Sequence, residues 1–316
     1  MRSSLRGFWD SAGMLIVFVF LFAGLSMFVD NFLSWQNMIG LALSVSTVGI
    51  VACTMLFCLA SGDFDLSIES VVAFAGVLAA VVINATGSVL LGIAAGVLAG
   101  GVVGIVNGFV IAKLGINALI TTLATMQIVR GVGFIVSGGV AVGIAKESFF
   151  VLGMGMPLGV PNPVWIAIAC FIVYGVLLNK TRFGRHTLAI GGGREAVRLA
   201  GVAVDRVKIV IFTLQGVMAG LAGVVLASRM TSGQPNSSVG FSLDVISACV
   251  LGGVSLSGGK GTMLGTVVGV LIMGTVQNSM NLLNVSTFYQ YVARGLILLA
   301  AVLFDQFKQS RARKNI

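Results

Sequence analysis

Three carboxylates stand within seven residues: Asp63 and Asp65 in Ser61-Gly62-Asp63-Phe64-Asp65-Leu66-Ser67, then Glu69. Clustered carboxylates can bind a divalent cation or relay a proton. No histidine lies beside these, and no second acidic cluster completes a cation site. Acids followed by Ser67 suit the start of a helix, where Asp63 or Asp65 would accept from free backbone N–H groups. A second stretch, Gly252 to Thr262, looks like a phosphate-binding loop. That motif needs a glycine five residues before its second glycine and Ser or Thr after its lysine. Val254 and Gly261 occupy those places, between apolar flanks. No nucleotide site is expected in this chain, and so no ATP hydrolysis of its own.

Two further groups of polar residues fall inside apolar stretches. Asn117, Thr121 and Thr125 recur at i, i+4 and i+8, with Thr122 and Gln127 beside them. Gln277, Asn281 and Asn284 recur at i, i+4 and i+7, next to Asn278. All are neutral hydrogen-bonding groups. They suit the path of an uncharged, polyhydroxylated solute, and they equally suit bonds between helices.

The elements that must hold these residues are membrane helices. The 316 residues are 57% hydrophobic and 9% charged, against about 25% charged in a soluble domain. Forty-three glycines and only four prolines fit closely packed transmembrane helices. Gly92, Gly96, Gly100, Gly104 and Gly108 recur every fourth residue and so line one face, as do Gly216 with Gly220 and Gly265 with Gly269. Such faces predict tight helix packing. Cys53, Cys58, Cys170 and Cys249 all fall in apolar stretches, as small buried hydrophobes without disulfide or metal spacing. A membrane crossing needs about 20 apolar residues. That rule predicts an all-α polytopic protein with ten crossings, near 12–29, 38–60, 67–84, 88–111, 117–136, 164–178, 209–227, 244–256, 262–283 and 289–305, in one transmembrane domain over 1–316. The first is expected to be a retained helix, since no small-residue cleavage site closes a short apolar region.

Orientation follows from basic residues, which favour the cytoplasmic side. With both termini cytoplasmic, fifteen of the nineteen Lys and Arg lie inside, and Arg130, Lys146, Arg229 and Arg294 fall at or near the outer side. The same bias accounts for the net charge of +9 without a nucleic-acid partner. Seven of the nineteen Lys and Arg sit in Asn179–Lys208, which holds Lys180, Arg182, Arg185, Arg194, Arg198, Arg206 and Lys208 and the only histidine, His186. One Arg or Lys at mid-membrane costs roughly 2.5–3.5 kcal/mol on insertion scales, so this island is expected to stand in water. Gly191-Gly192-Gly193 closes one segment, Arg194–Leu199 reads as a short amphipathic helix, and Gly201 suits its stop. Such a helix can dock a partner or lie on anionic lipid.

Six stretches together resemble the permease subunits of bacterial ATP-binding-cassette sugar importers of the ribose, arabinose and galactose group, the arabinose permeases most closely. They are CLASGDFDLS (58–67), NGFVIAKLGINALITTLATMQIVRG (107–131), LNKTRFGRHTLAIGGGREAVRLAGV (178–202), LASRMTSGQP (226–235), ISACVLGGVSLSGGKGT (246–262) and YVARGLILLAAVLFD (291–305). The resemblance implies a permease dimer in the bacterial inner membrane, importing a monosaccharide, with L-arabinose expected first. It implies a periplasmic sugar-binding protein, and a cytoplasmic ATPase subunit that carries the ATP and Mg. It makes the 179–208 loop the ATPase-docking element, so Gly184, Arg185, Glu195, Ala196, Leu199 and Gly201, with Arg198 among them, inherit that role. The family's Gly-Gly-x-Asp-Leu-Ser segment maps to 61–67, with Asp63, Asp65 and Ser67 as its polar members. Here the segment carries an extra acid, and Glu69 replaces a glycine often found there.

Overall fold

The computed structural model describes the backbone of residues 2–314 and the side chains of 13–303, 306 and 307. The helices are α1 (Arg2–Phe28), α2 (Trp35–Ala60), α3 (Ile68–Thr86), α4 (Val89–Lys113), α5 (Ala118–Ser137), α6 (Val151–Met154), α7 (Asn162–Lys180), α8 (Arg182–Gly192), α9 (Arg194–Leu199), α10 (Val204–Met230), α11 (Phe241–Leu251), α12 (Met263–Leu282) and α13 (Thr287–Lys314). Each of the ten expected crossings falls on one of them. Seven, namely α2, α3, α4, α5, α7, α10 and α12, are long and apolar enough to cross a bilayer, and Gly13–Phe28, Phe241–Leu251 and Thr287–Leu303 are shorter apolar stretches. Among the described residues the only sheet is a two-residue antiparallel pair, β1 (Val142–Gly143) with β2 (Ser232–Gly233).

Local chemistry sets the ends of these helices. Side-chain oxygens of Ser34, Ser88, Asn117, Thr181 and Thr262 accept the first free N–H groups of α2, α4, α5, α8 and α12. α2 is apolar all round, and its last eleven residues, Ile50 to Ala60, are all buried. Its neighbours are α7, α10, α11 and α12.

The glycine ladder of α4 packs as its spacing predicts. A side-chain carbon at Gly100 would strike Gly216 O, one at Gly104 Phe212 O, and one at Gly96 would stand 2.8 Å from Ala75 O. The bare face therefore meets α10 and α3, while Leu98, Val102, Ile105 and Phe109 cover the exposed face. α11 is shorter than the expected 244–256 crossing: it stops at Leu251, and 252–262 is a glycine-rich turn. The segment before α11 does not cross as a helix. It folds back along α3, with Gly233 against Gly76 and Val77, and with Gly240 N–H donating to Glu69 in the first turn of α3. Irregular backbone among membrane helices survives only where protein or a watery cavity surrounds it.

Candidate functional site: a glycine junction and its polar wiring

The basic island is built of two helices. α8 is longer than the segment expected there. It buries Gly184, Thr187 and Ile190 and exposes Arg182, Arg185 and Ala189, the three-residue repeat of a helix lying on a surface. Phe183 stacks on Phe57 near the end of α2, centroids 5.7 Å apart. Gly184 lets the chain turn from α7 into α8, since a side chain there would strike Leu178 O. α9 is the expected short helix, with Arg194, Glu195, Ala196, Arg198 and Leu199 exposed, and Leu199 86% so. Gly201 closes it at φ +84°, a conformation glycine adopts without strain. Asp205 sits between Lys113 (3.3 Å) and Arg194 (3.7 Å), tying α9 loosely to α4.

The end of α8 is the hub of a three-way junction. Gly191 lies between Ala60 O at the end of α2 and the Gly258-Gly259 pair of the α11–α12 turn, leaving no room for a side chain. Gly258 in turn stands against Gly62, and Gly259 N–H donates to Ala60 O at 2.9 Å. The phosphate-loop lookalike is thus a packing surface for the island.

The acidic segment divides in two, and one expectation is corrected. Asp65 does cap: its Oδ1 accepts from Ser67 N–H (2.9 Å) and Ser67 Oγ (2.6 Å) at the start of α3. Asp63 does not cap. It pairs with Lys208, Oδ2 to Nζ at 2.8 Å. Lys208 was expected in water with the rest of the island, and it is only 5% exposed. One helical turn into α10, it is drawn inside because a buried carboxylate is there to meet it. Burial pushes the Asp65 carboxyl up to about 6, against the two bonds from Ser67.

From Asp65 a chain of hydrogen bonds runs across the bundle. Ser67 Oγ accepts from Asn107 Nδ2 (3.0 Å), and Asn107 Oδ1 accepts from Thr125 Oγ1 (2.7 Å). Three helices are joined by this chain. Asn107, fully buried in the glycine ladder of α4, was missed in the sequence. An amide beside small residues inside an apolar helix was the available signal.

The residues expected to line a path are scattered. Asn117 caps α5 and shares a cleft of about 280 Å³ with Gly62, Asp63 and Phe64. Thr121 and Thr122 are buried and bond back to their own helix at Asn117 O and Leu119 O. Gln127 is exposed on α5. In the second group, Asn278 and Asn37 bond to each other through both amides. Asn281 accepts from Gln290. Asn284 lies beyond α12, in a turn at φ +51°, so the i+7 relation is broken. Gln277 points elsewhere, beside Asp244.

Arg130 and Arg294 each meet a carboxylate. Arg130 is in the body of α5, 3.6 Å from Glu69, and its Nη1 donates to Pro235 O and Ser237 O at 2.8 Å each. Arg294 is in α13, 3.2 Å from Asp244. The charges at the molecule's ends, Arg2, Arg6 and those of the 305–316 tail, lie outside the described side chains.

This is the fold of a polytopic α-helical membrane protein: tight glycine-packed helices, buried paired charges and a helical basic loop resting on one end. Residues 37–302 match the family model described as "Branched-chain amino acid transport system / permease component", and the chain belongs to that family. It is 63% identical over 305 residues, 96% of this chain and 93% of the relative, to the L-arabinose transport system permease protein AraH of Escherichia coli (strain K12). It is 57% identical over 310 residues (97% and 91%) to the L-arabinose ABC transporter permease protein AraH of Azospirillum brasilense. It is 38% identical over 299 residues, 93% of each chain, to the ribose import permease protein RbsC of Escherichia coli (strain K12). No solved structure matches.

Proposed function

We propose that this chain is the membrane permease subunit of an ATP-binding-cassette importer that brings L-arabinose into a bacterial cell. The observation that carries the reading is 63% identity across 96% of the chain to an L-arabinose permease, against 38% to a ribose permease. The chain lies in the inner membrane with ten crossings and both termini cytoplasmic. The shorter apolar stretches of α1 and α13 complete crossings alongside the seven long ones, and α11 completes the tenth together with the folded segment ahead of it. The permease works as a homodimer. A periplasmic binding protein supplies the sugar, and a cytoplasmic ATPase subunit holds the ATP and Mg.

In this reading α8 and α9 form the docking element. Exposed Arg185, Glu195, Arg198 and Leu199 meet the ATPase, while Gly184, Ala196 and Gly201 give the loop its shape. A push on α8 reaches the ends of α2 and α11 through Gly191. A push on the start of α10 reaches Asp63 through Lys208, and the Asp65–Ser67–Asn107–Thr125 chain couples that turn to α4 and α5. The bundle answers by alternating access, a rigid-body or gating change without covalent chemistry. Sugar passes neutral groups such as Asn117, Thr121, Thr122, Thr125, Gln127, Gln277, Asn281 and Asn284. Uptake of labelled L-arabinose in cells carrying the whole transporter, with ribose and galactose as competitors, tests the substrate. Stronger competition by ribose than by unlabelled arabinose overturns it. Glu195→Arg is expected to leave membrane insertion intact and to uncouple ATP hydrolysis from uptake. Wild-type coupling in that variant removes α9 from the docking element.

An ion-driven carrier is the second reading, because Glu69, Arg130, Asp244 and Arg294 lie within or beside membrane helices. Both carboxylates already face a guanidinium and Asp63 faces Lys208, so among the described buried acids only Asp65, held by Ser67, has no cation beside it. Sugar uptake by the chain alone in proteoliposomes, on an ion gradient, would favour the carrier.

A further inference from the structure

The two buried carboxylate–guanidinium pairs are built differently, and the difference points to a sugar-binding station. One segment grips most of the Glu69–Arg130 pair, and Arg130 Nη2 is its one buried atom without a hydrogen bond. Glu69 Oε2 accepts from Gly240 N–H and Ser242 Oγ at 3.0 Å each, and Arg130 holds the carbonyls of Pro235 and Ser237. That pair pins the fold-back segment to α3 and α5. The Asp244–Arg294 pair has no such backing. Asp244 is only 7% exposed, yet its Oδ1 has no hydrogen-bond partner. Arg294 Nε and Gln277 Nε2 are buried without partners as well. Gln277 lies near enough to interact with Asp244, and its Nε2 falls short of full hydrogen-bond geometry to any partner. The Arg294 guanidinium stands 5.8 Å over the Tyr291 ring, which is half exposed.

Buried polar atoms without partners are costly, about 1–3 kcal/mol each and more when charged. Three of them converging from α11, α12 and α13 need an explanation. Their inventory is one carboxylate acceptor, two N–H donors and an aromatic face. Adjacent hydroxyls of a pyranose donate to a carboxylate and accept from amide and guanidinium N–H, and the sugar's C–H face lies on an aromatic ring.

We propose that Asp244, Gln277 and Arg294, with Tyr291, form a transient binding station for an uncharged sugar bearing adjacent hydroxyls. This rests on the reading of the chain as a monosaccharide permease. In the resting permease, Arg294 neutralises Asp244, which keeps the charge tolerable inside the bundle. An arriving hydroxyl pair fills the three open positions and then leaves, with no bond made or broken.

The test is labelled L-arabinose uptake by the complete transporter, normalised to permease in the membrane. Gln277→Leu should lower maximal uptake about tenfold, the worth of one buried hydrogen bond, and leave the half-saturating concentration set by the binding protein unchanged. The charge swap Asp244→Arg with Arg294→Asp should restore permease levels lost in either single variant but not uptake. Wild-type uptake in Gln277→Leu or in the swap overturns the station. A wild-type transporter that takes up no monosaccharide overturns the functional reading instead. If the variants fail to accumulate, purified Tyr291→Trp permease supplies a second measure. Its fluorescence should change saturably with millimolar L-arabinose, and no change overturns the station.

Discussion

At the end of α2, Gly62 N–H donates to Leu59 O and Asp63 N–H to Cys58 O; at the end of α11, Gly253 N–H donates to Val250 O and Val254 N–H to Cys249 O. Gly62 and Gly253 hold φ of +82° and +85°. The two turns share one backbone, a left-handed glycine cap that closes the last carbonyls, and both meet the end of α8. Their side chains differ. The first turn carries Asp63, bound to Lys208, and Asp65, wired to α4 and α5. The second carries Val254, which is buried against Gly261. A repeated cap thus supports a polar connection in one place and an apolar plug in the other. The backbone fixes where α8 rests, and the side chains decide what movement is passed on.

That contrast can be broken most sharply at Lys208. Lys208→Ala leaves Asp63 buried without its cation and should cost about 3–5 kcal/mol, read as a large drop in the thermal midpoint of detergent-purified protein. Lys208→Met combined with Asp63→Leu should recover most of it, since an apolar pair of similar volume suits the place. Next in size, Gly191→Ala should cost about 1–3 kcal/mol by overpacking all three arms of the junction at once. Gly192→Ala, with open space around it, serves as its control in the same melts. Third, Gly62→Ala and Gly253→Ala should each cost about 1–2 kcal/mol, because a side chain is strained at positive φ. Unequal costs beyond that range would mean the two caps are not equivalent.

The smallest effect concerns Asp65. Its folded carboxyl titrates near 6, above the ordinary 3.8. Stability from this group is therefore fullest below pH 3.8 and is lost as pH rises through about 6. Asp65→Asn keeps an acceptor for Ser67 and removes the buried charge. Its gain in stability should be larger at pH 7.5 than at pH 5 by about 1 kcal/mol, measured as the difference between midpoints at the two pH values.

Much of this architecture was legible in the residues. Every expected crossing lands on a helix because apolar length is set by the membrane itself. The four-residue glycine spacing gave the α4 seam, and glycine breakers bounded α8 and α9. The charges were harder to read. Lys208, Arg130 and Arg294 looked like span-end residues because insertion costs are counted one residue at a time. Their partners Asp63, Glu69 and Asp244 are 145, 61 and 50 positions away in sequence, and no local pattern joins them. The neutral clusters divide among separate contacts. Asn117 caps α5, Thr121 and Thr122 bond back to their own helix, and Asn278 and Asn281 bond to Asn37 and Gln290, contacts that helical spacing alone does not foretell.

The brevity of α11 has a consequence for how the protein is made. Eleven residues of helix extend about 16 Å, roughly half the hydrocarbon thickness, and the stretch ahead of it has no helical bonding to hide its peptide groups. Neither piece can partition into lipid as it leaves the insertion machinery. Glu69 and Arg130 are synthesised first, so a receptacle stands ready when residues 232–242 emerge. Order of synthesis and order of assembly thus coincide, and a permutation moving α11 ahead of α3 and α5 should yield chains that the cell's quality control removes.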